Sequence, residues 1–269
     1  LDQAVTRVTM DISPLHIGLM LLASGAAGLV DAIVGGGGLI ILPSLFGLFP
    51  QAVPATLLGT NKAASIWGTA WSAWQYARRV KLPEARLAVA TVLAAAGSLT
   101  GAWLATRVPA AHFRIALPLI LSAVWLYTWW RKDLGHAHAP HLSPRAEGLR
   151  ASALGLTIGL YDGIFGPGTG SFFVFGLVRL LGWDFVHASA AAKRMNFATN
   201  VAALAVFIPQ GHVIWALALP MAVANVAGST VGTKLALKHG TGFVRVAFLI
   251  VVGALVCKTA WDAWLRWLG

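Results

Sequence analysis

Hydrophilic breaks cut the chain into a series of apolar pieces. Five run near 14–34, 39–49, 54–77, 86–106 and 111–130, and five more near 148–165, 170–182, 187–208, 213–236 and 243–267. A helix that crosses the hydrocarbon core needs about 20 mostly apolar residues, and several pieces reach that length. The second piece of each series, about 11–13 residues long, does not. Only a glycine-rich stretch separates it from the piece before, which predicts a broken or re-entrant helix. Non-helical backbone at membrane depth persists only where protein or a water-filled cavity satisfies its N–H and C=O groups.

The two series are one pattern written twice. An ungapped shift of 131 residues lays Gly28-Leu29-Val30-Asp31-Ala32-Ile33-Val34-Gly35-Gly36-Gly37 on Gly159-Leu160-Tyr161-Asp162-Gly163-Ile164-Phe165-Gly166-Pro167-Gly168. The same shift lays Lys62 on Lys193, Arg114 on Arg245, and Gly97-Ser98-Leu99-Thr100-Gly101 on Gly228-Ser229-Thr230-Val231-Gly232. Chance similarity between apolar stretches does not bring an Asp, a Lys, an Arg and several Gly into one register. The expected organisation is a first transmembrane repeat over 1–131, a cytoplasmic linker over 132–147 and a second repeat over 148–269.

Charge placement bears on how the halves relate. Residues 78–86 hold Arg78, Arg79, Lys81 and Arg86, whereas the matching loop, Pro209-Gln210-Gly211-His212-Val213, has no Lys or Arg. By the positive-inside rule the first loop is cytoplasmic and the second external. Equivalent loops on opposite faces are what an inverted repeat requires. The linker carries Arg131, Lys132, Arg145 and Arg150 and also reads as cytoplasmic, which places both termini outside. The predicted fold class is all-α and integral to the membrane. Its two five-segment halves form an inverted repeat, with broken or re-entrant helices meeting at the midplane.

Composition narrows the function classes. Of 269 residues 58% are hydrophobic and 11% charged, and mean hydropathy is +0.74. A soluble domain carries about a quarter of its residues charged, so a bilayer is the expected partner and a multi-pass location in the cell (cytoplasmic or inner) membrane follows. The net charge of +11 invites a nucleic-acid reading, but the basic residues sit mostly in the short breaks where they anchor spans. No nucleic-acid partner is expected. Trp71, Trp74, Trp125, Trp129, Trp130, Trp183, Trp215, Trp261, Trp264 and Trp267 lie near segment ends, where indoles favour the interface. The single cysteine, Cys257, excludes a disulfide framework, and no cleavable signal peptide is evident. His136, His138 and His141 resemble a metal tract but read as a solvated linker. No nucleophile–base pair, phosphate-binding loop or zinc motif is present. The chain is therefore expected to be no enzyme and to need no cofactor or metal.

Several residues are candidates for chemistry. The glycines at 35–38 and 166–170 would let a resuming helix aim free N–H groups into a cavity, as anion sites do; alternatively they permit tight helix crossing. Lys62 and Lys193 lie inside the third pieces, where an ionisable group costs about 2.5–3.5 kcal/mol. They are either site residues or cations snorkelling to the interface. Lys62, Ser65 and Thr69 share one helix face, and Lys193, Asn196 and Asn200 repeat the spacing. The proposed substrate-binding set is Gly36, Gly37, Gly38, Asn61, Lys62, Ser65, Gly168, Thr169, Gly170, Lys193, Asn196 and Asn200, with Thr60 a further donor. Asp31 and Asp162 pair with the lysines, cap the resuming helices or carry protons. Tyr161 has Val30 as its counterpart and carries less weight. The GxxxG-like stripes Gly97…Gly101 and Gly228…Gly232 suit packing inside the protein, with a homodimer as the weaker alternative.

At these motifs the sequence resembles the TauE/SafE sulfite exporter family. Residues 28–43 with Gly59-Thr60-Asn61-Lys62 match its first-half signature, and residues 159–171 with Lys193-Arg194-Met195-Asn196-Phe197-Ala198-Thr199-Asn200 its second. The resemblance covers nearly the whole chain. It implies secondary transport of small sulfur-containing or organic anions, such as sulfite or the sulfonate sulfoacetate. With the cell interior negative, outward movement of one anion gains about 2.3 kcal/mol per 100 mV, so export is the expected direction. A proton-coupled importer and an anion channel of the same fold stand as alternatives.

Overall fold

The computed structural model describes residues 13–107 and 142–268. The piece near 111–130, Arg114, Trp125, Trp129, Trp130 and the linker histidines lie outside the described residues. The rest forms an all-α bundle: α1 (Pro14–Val34), α2 (Gly38–Leu48), α3 (Pro54–Ala77), α4 (Glu84–Ala105), α5 (Pro144–Ile164), α6 (Thr169–Leu181), α7 (Phe185–Phe207) and α8 (Trp215–Leu268). Pro14–Val34, Glu84–Ala105 and the stretch Trp215–Gly240 of α8 are long and apolar enough to cross a membrane. α2 and α6 are short, as their sequences require.

Local chemistry sets the boundaries. Proline opens α1, α3 and α5, where its missing N–H costs nothing and its fixed φ suits the first turn. Ser13 and Ser143 cap α1 and α5 by accepting the N–H groups of His16 and Ala146. Helix α5 therefore starts at Pro144, ahead of the apolar boundary at 148, because this cap and Glu147 in the first turn extend it through polar residues. Helix α1 stops at Gly35, whose φ of 81° is a left-handed cap. The break between α5 and α6 uses two such glycines, Gly166 (φ 85°) and Gly168 (φ 77°). In α8 the fourth and fifth pieces run on as helix, broken only at Gly240 (φ 71°, ψ −161°).

The halves interlock. α1 packs mainly along α8, and α4 along α5. A methyl group placed on Gly97 would lie 2.4 Å from the Leu156 carbonyl oxygen, and one on Gly228 would lie 1.9 Å from that of Gly25. These contacts are the same contact 131 residues apart. The pattern recurs for Gly101 against Leu160 and Gly232 against Leu29, and for Gly28 against Asn225 and Gly159 against Ala94. Lipid tails are as apolar as leucine, so close backbone approach through small residues is what drives helices together here. Both glycine stripes are spent inside the chain.

One end of the bundle gathers basic groups: Arg86 pairs with Glu147, Arg194 with Glu84, and Arg150 donates to the Leu180 carbonyl. Trp183 is buried there, its indole N–H donating to Glu147 at 2.8 Å, so it is not an interfacial anchor. Trp71, Trp74 and Trp215 are exposed, as an aromatic belt requires. Asp184 caps α7, accepting from the N–H groups of Val186 (2.8 Å) and His187 (3.0 Å) and meeting the His187 ring. Burial works to raise its carboxyl pKa, but these N–H groups and the imidazole together hold it below the ordinary aspartate value.

Two outcomes follow in thermal unfolding of the detergent-solubilised protein. Gly97→Ala and Gly228→Ala each lower stability by about 1–3 kcal/mol through overpacking. Gly18→Ala, which meets nothing within 4 Å, does not. Asp184→Ala costs about 0.5–2 kcal/mol at neutral pH. Because the folded carboxyl titrates below the unfolded one, that stabilisation is present above pH of about 4 and fades as pH falls further. The melting curves of wild type and variant should converge in acid.

Candidate functional site

Each buried lysine of one half finds its counter-ion in the other. Lys62 on α3 donates to Asp162 on α5 at 2.7 Å, and Lys193 on α7 donates to Asp31 on α1 at 2.7 Å. Both lysines are almost wholly buried, at 2% and 0% exposure, which excludes snorkelling to an interface. Asp31 and Lys62 of the first half do not pair with each other, nor do Asp162 and Lys193. The crossing follows from the packing: α1 and α5 lie against elements of the opposite half, so each carboxylate enters the other half's territory.

Around these pairs the polar contacts differ. Asp162 also accepts from Ser98 at 3.3 Å, and Lys62 donates to the Asn200 side-chain oxygen at 3.1 Å. Asp31 receives the Gly37 N–H at 3.4 Å, joining the carboxylate to the first break. The breaks touch: the Ser171 N–H donates to the Gly35 carbonyl at 3.0 Å, and the Ser171 hydroxyl to that of Val34 at 2.9 Å. A methyl group on Gly35 would lie 2.2 Å from the Gly170 backbone, so glycine is obligatory at this crossing. Tyr161 donates to the Pro167 carbonyl at 2.7 Å and braces the second break.

Between the pairs lies a narrow cavity of about 20 Å³, room for about one water-sized sphere. Of the expected residues, Gly37, Gly38, Asn61, Lys62, Ser65, Gly168, Thr169, Gly170, Asn196 and Asn200 line it, with Asp31 and Asp162. Gly36 and Lys193 do not. Lys193 is fully buried and donates to Asp31, which does line the cavity. The N–H groups of Gly38 and Gly170, in the first turns of α2 and α6, bond to nothing among the described residues and supply the positive helix ends. The Asn61 side-chain oxygen is buried without a partner among those residues.

Asn225 on α8 also lines the cavity and was not among the expected residues. Its signal is an amide in mid-helix that donates to the Ser24 carbonyl at 3.0 Å. The repeat register concealed it, because its counterpart is Ala94. Gly35, Gly166 and Thr69 complete the lining; all three lie in motifs already singled out.

The sequence model of the sulfite exporter TauE/SafE family matches residues 20–259. The chain belongs to that family. It is 37% identical over 259 residues to a probable membrane transporter protein, ORF9, of Sinorhizobium, covering 94% of this chain and 97% of the relative. It is 34% identical to the probable membrane transporter protein YfcA of Escherichia coli K12, covering 96% of each, and 32% identical to a probable membrane transporter protein of Haemophilus influenzae, covering 94% and 98%. No solved structure matches the chain. As a TauE/SafE member it is a multi-pass integral membrane transporter and not an enzyme, in keeping with a cytoplasmic-membrane location.

Removing one partner of a buried pair leaves an uncompensated charge and costs about 3–5 kcal/mol, whereas replacing both with apolar groups is close to neutral. Lys62→Met alone should therefore lower stability by about that amount, and Lys62→Met with Asp162→Leu should recover most of it. Thermal unfolding of both variants and of Asp162→Leu closes the cycle. Additive losses would show that the two groups do not compensate each other.

Proposed function

We propose that this TauE/SafE protein is a secondary carrier of small sulfur-containing or organic anions, sulfite and sulfonates such as sulfoacetate foremost, moving them outward across the cytoplasmic membrane. The observation that carries the reading is the cavity where two helix N-termini, the buried Lys62 and a ring of amides and hydroxyls converge. Free backbone N–H groups at helix starts suit an oxyanion with several acceptor oxygens. The name of the family, sulfite exporter, points to the same chemistry. Gly36 and Lys193 act in this reading as support, through the break and through Asp31.

The carrier is built from halves 1–131 and 148–269, joined by a cytoplasmic linker and inverted with respect to each other. The contact between Thr56 and His212, at 3.0 Å, supports inversion: it joins the start of α3 to the chain just beyond the end of α7, the element that matches α3 in the repeat. Parallel halves would bring the two starts together. A cavity with room for one water holds no sulfonate, so substrate binding requires the halves to move, as a carrier's alternating access does and an open channel's conduction does not.

Proton-coupled uptake has one observation in its favour. Both lysine charges are already met by carboxylates, so an anion gains the full attraction of Lys62 only when Asp162 is protonated or withdrawn. In proteoliposomes, flux driven by an inward proton gradient would identify that mode, and flux driven by membrane potential alone would identify uncoupled export.

The deciding experiment is thermal stabilisation of the purified protein by sulfite, thiosulfate, sulfoacetate, taurine, sulfate and simple carboxylates. A ligand at 100 times its Kd adds about 2.7 kcal/mol to the folded state. Stabilisation by a sulfur oxyanion is expected in the wild type, and loss of it in a folded Asn61→Ala, Asn200→Ala variant. A flat response across the panel removes the sulfur-anion assignment.

A further inference from the structure

The 131-residue register offers an internal control, because the seam between α3 and α8 has a counterpart between α4 and α7. The seam between α4 and α7 is apolar away from the central cavity: Ala102, Ala203 and Phe207 are fully buried there in one cluster with Leu58. The matching seam, between α3 and α8, carries hydroxyls at the same positions. Ser72 stands where the other seam has Ala203, and Thr233 where it has Ala102. Ser72 and Ser229 share a hydrogen bond at 2.6 Å, and Thr233 donates to Ser72 at 3.0 Å. All three are buried. Ser229 also donates to the Gly68 carbonyl, a bond that Ser98 makes to Thr199 in the other half, so that contact is shared packing. The extra hydroxyls of Ser72 and Thr233 have no such counterpart.

Along α3 and α8 these groups lie between residues that line two separate cavities. At the inner end they continue from Thr69 and Asn225, which line the central cavity. At the outer end they meet a cleft of about 590 Å³ lined by Trp74, Gln75, Arg78, Arg79, Lys234 and Lys238. Arg78 lies over the Trp74 ring at 4.9 Å. Arg79, Lys234 and Lys238 have no carboxylate partner among the described residues. The buried Gln75 amide nitrogen is also without a partner there. The matching positions at the far end of the other seam hold Gln210 for Arg79 and Trp103 for Lys234, while Lys238 is matched by another cation, Arg107.

We infer that the α3–α8 seam is the access path on the basic, cytoplasmic side, and that the cleft at its mouth is a second anion site that gathers substrate. The inference rests on the anion-carrier reading above. Arg78, Arg79, Lys234 and Lys238 are all exposed, and like-charged groups gathered at one mouth raise the local concentration of anions most strongly at low salt. The hydroxyl ladder bonds to itself while the seam is closed. When the helices part, the same hydroxyls offer donors to a passing oxyanion, which the alanines of the other seam do not.

Cysteine accessibility tests this without measuring transport, so its failure is distinct from failure of the central site. In a Cys257→Ser background, Ser72→Cys and Thr233→Cys are exposed to a sulfonate-bearing methanethiosulfonate from the cytoplasmic side of inside-out vesicles. The matching Ala203→Cys and Ala102→Cys serve as controls, with melting curves confirming the fold of each. Labelling is expected in the first pair and not in the second. Arg79→Gln, Lys234→Gln and Lys238→Gln combined should slow the anionic reagent by about tenfold or more at low salt, the lower end of electrostatic focusing, while a neutral reagent is unaffected. Equal labelling of both seams, no labelling of either, or equal slowing of both reagents would overturn the path. If phosphatidylglycerol, but not sulfite, slows the anionic reagent at Ser72→Cys, the cleft belongs to lipid headgroups and the substrate site is overturned.

Discussion

Burying a lysine inside an apolar helical bundle obliges a chain to bury a carboxylate within reach, and here that obligation is met across the duplication. Lys62 depends on Asp162 and Lys193 on Asp31. Ion pairs in a low-dielectric interior gain little net stability but are costly to break, so they act as a constraint on geometry more than as a source of energy. α1 and α5 must lie where their aspartates reach the opposite lysine. The glycine stripes that let α1 approach α8, and α4 approach α5, follow from that placement, as does the meeting of the two breaks at Gly35 and Gly170.

Much of this was legible in the sequence. Within the described residues the apolar pieces gave the helices, the last two run together across Gly240, and the short second pieces gave the breaks. The glycine, lysine, asparagine and aspartate motifs named most of the cavity lining. What a one-dimensional reading could not supply was partner choice. Asp31 and Lys62 are neighbours on paper, and nothing in their spacing says that each reaches past the other into the opposite half. Gly36 and Lys193 shared every motif yet stand back from the cavity, because only helix rotation decides which of several adjacent polar residues faces it. Asn225 was hidden by the strength of the repeat, since attention to matched positions passes over a residue whose counterpart is alanine. Trp183 was misplaced for a related reason: nearness to a segment end does not reveal that Glu147 waits to accept its N–H.

The departures from the repeat carry as much information as the repeat itself. Where the halves agree, the shared residues hold helices together or compensate charge. Where they differ, as Asn225 against Ala94, or Ser72 and Thr233 against Ala203 and Ala102, a polar group has been set into a place that packing alone fills with a methyl. A transporter that faces two different solutions has reason for its two ends to differ while its scaffold stays matched.

The crossed pairs also impose a timetable on the making of the protein. Lys62 and Asp162 are 100 residues apart in sequence. At about 5–20 residues per second a ribosome needs roughly 5–20 s to polymerise that interval. During it Lys62 exists without its counter-ion, and Asp31 waits longer still for Lys193, 162 residues away. Until then an unmet Lys62 costs the third helix about 2.5–3.5 kcal/mol on entering lipid. Arrival of the second half removes that cost, because each early charge then meets its counter-ion.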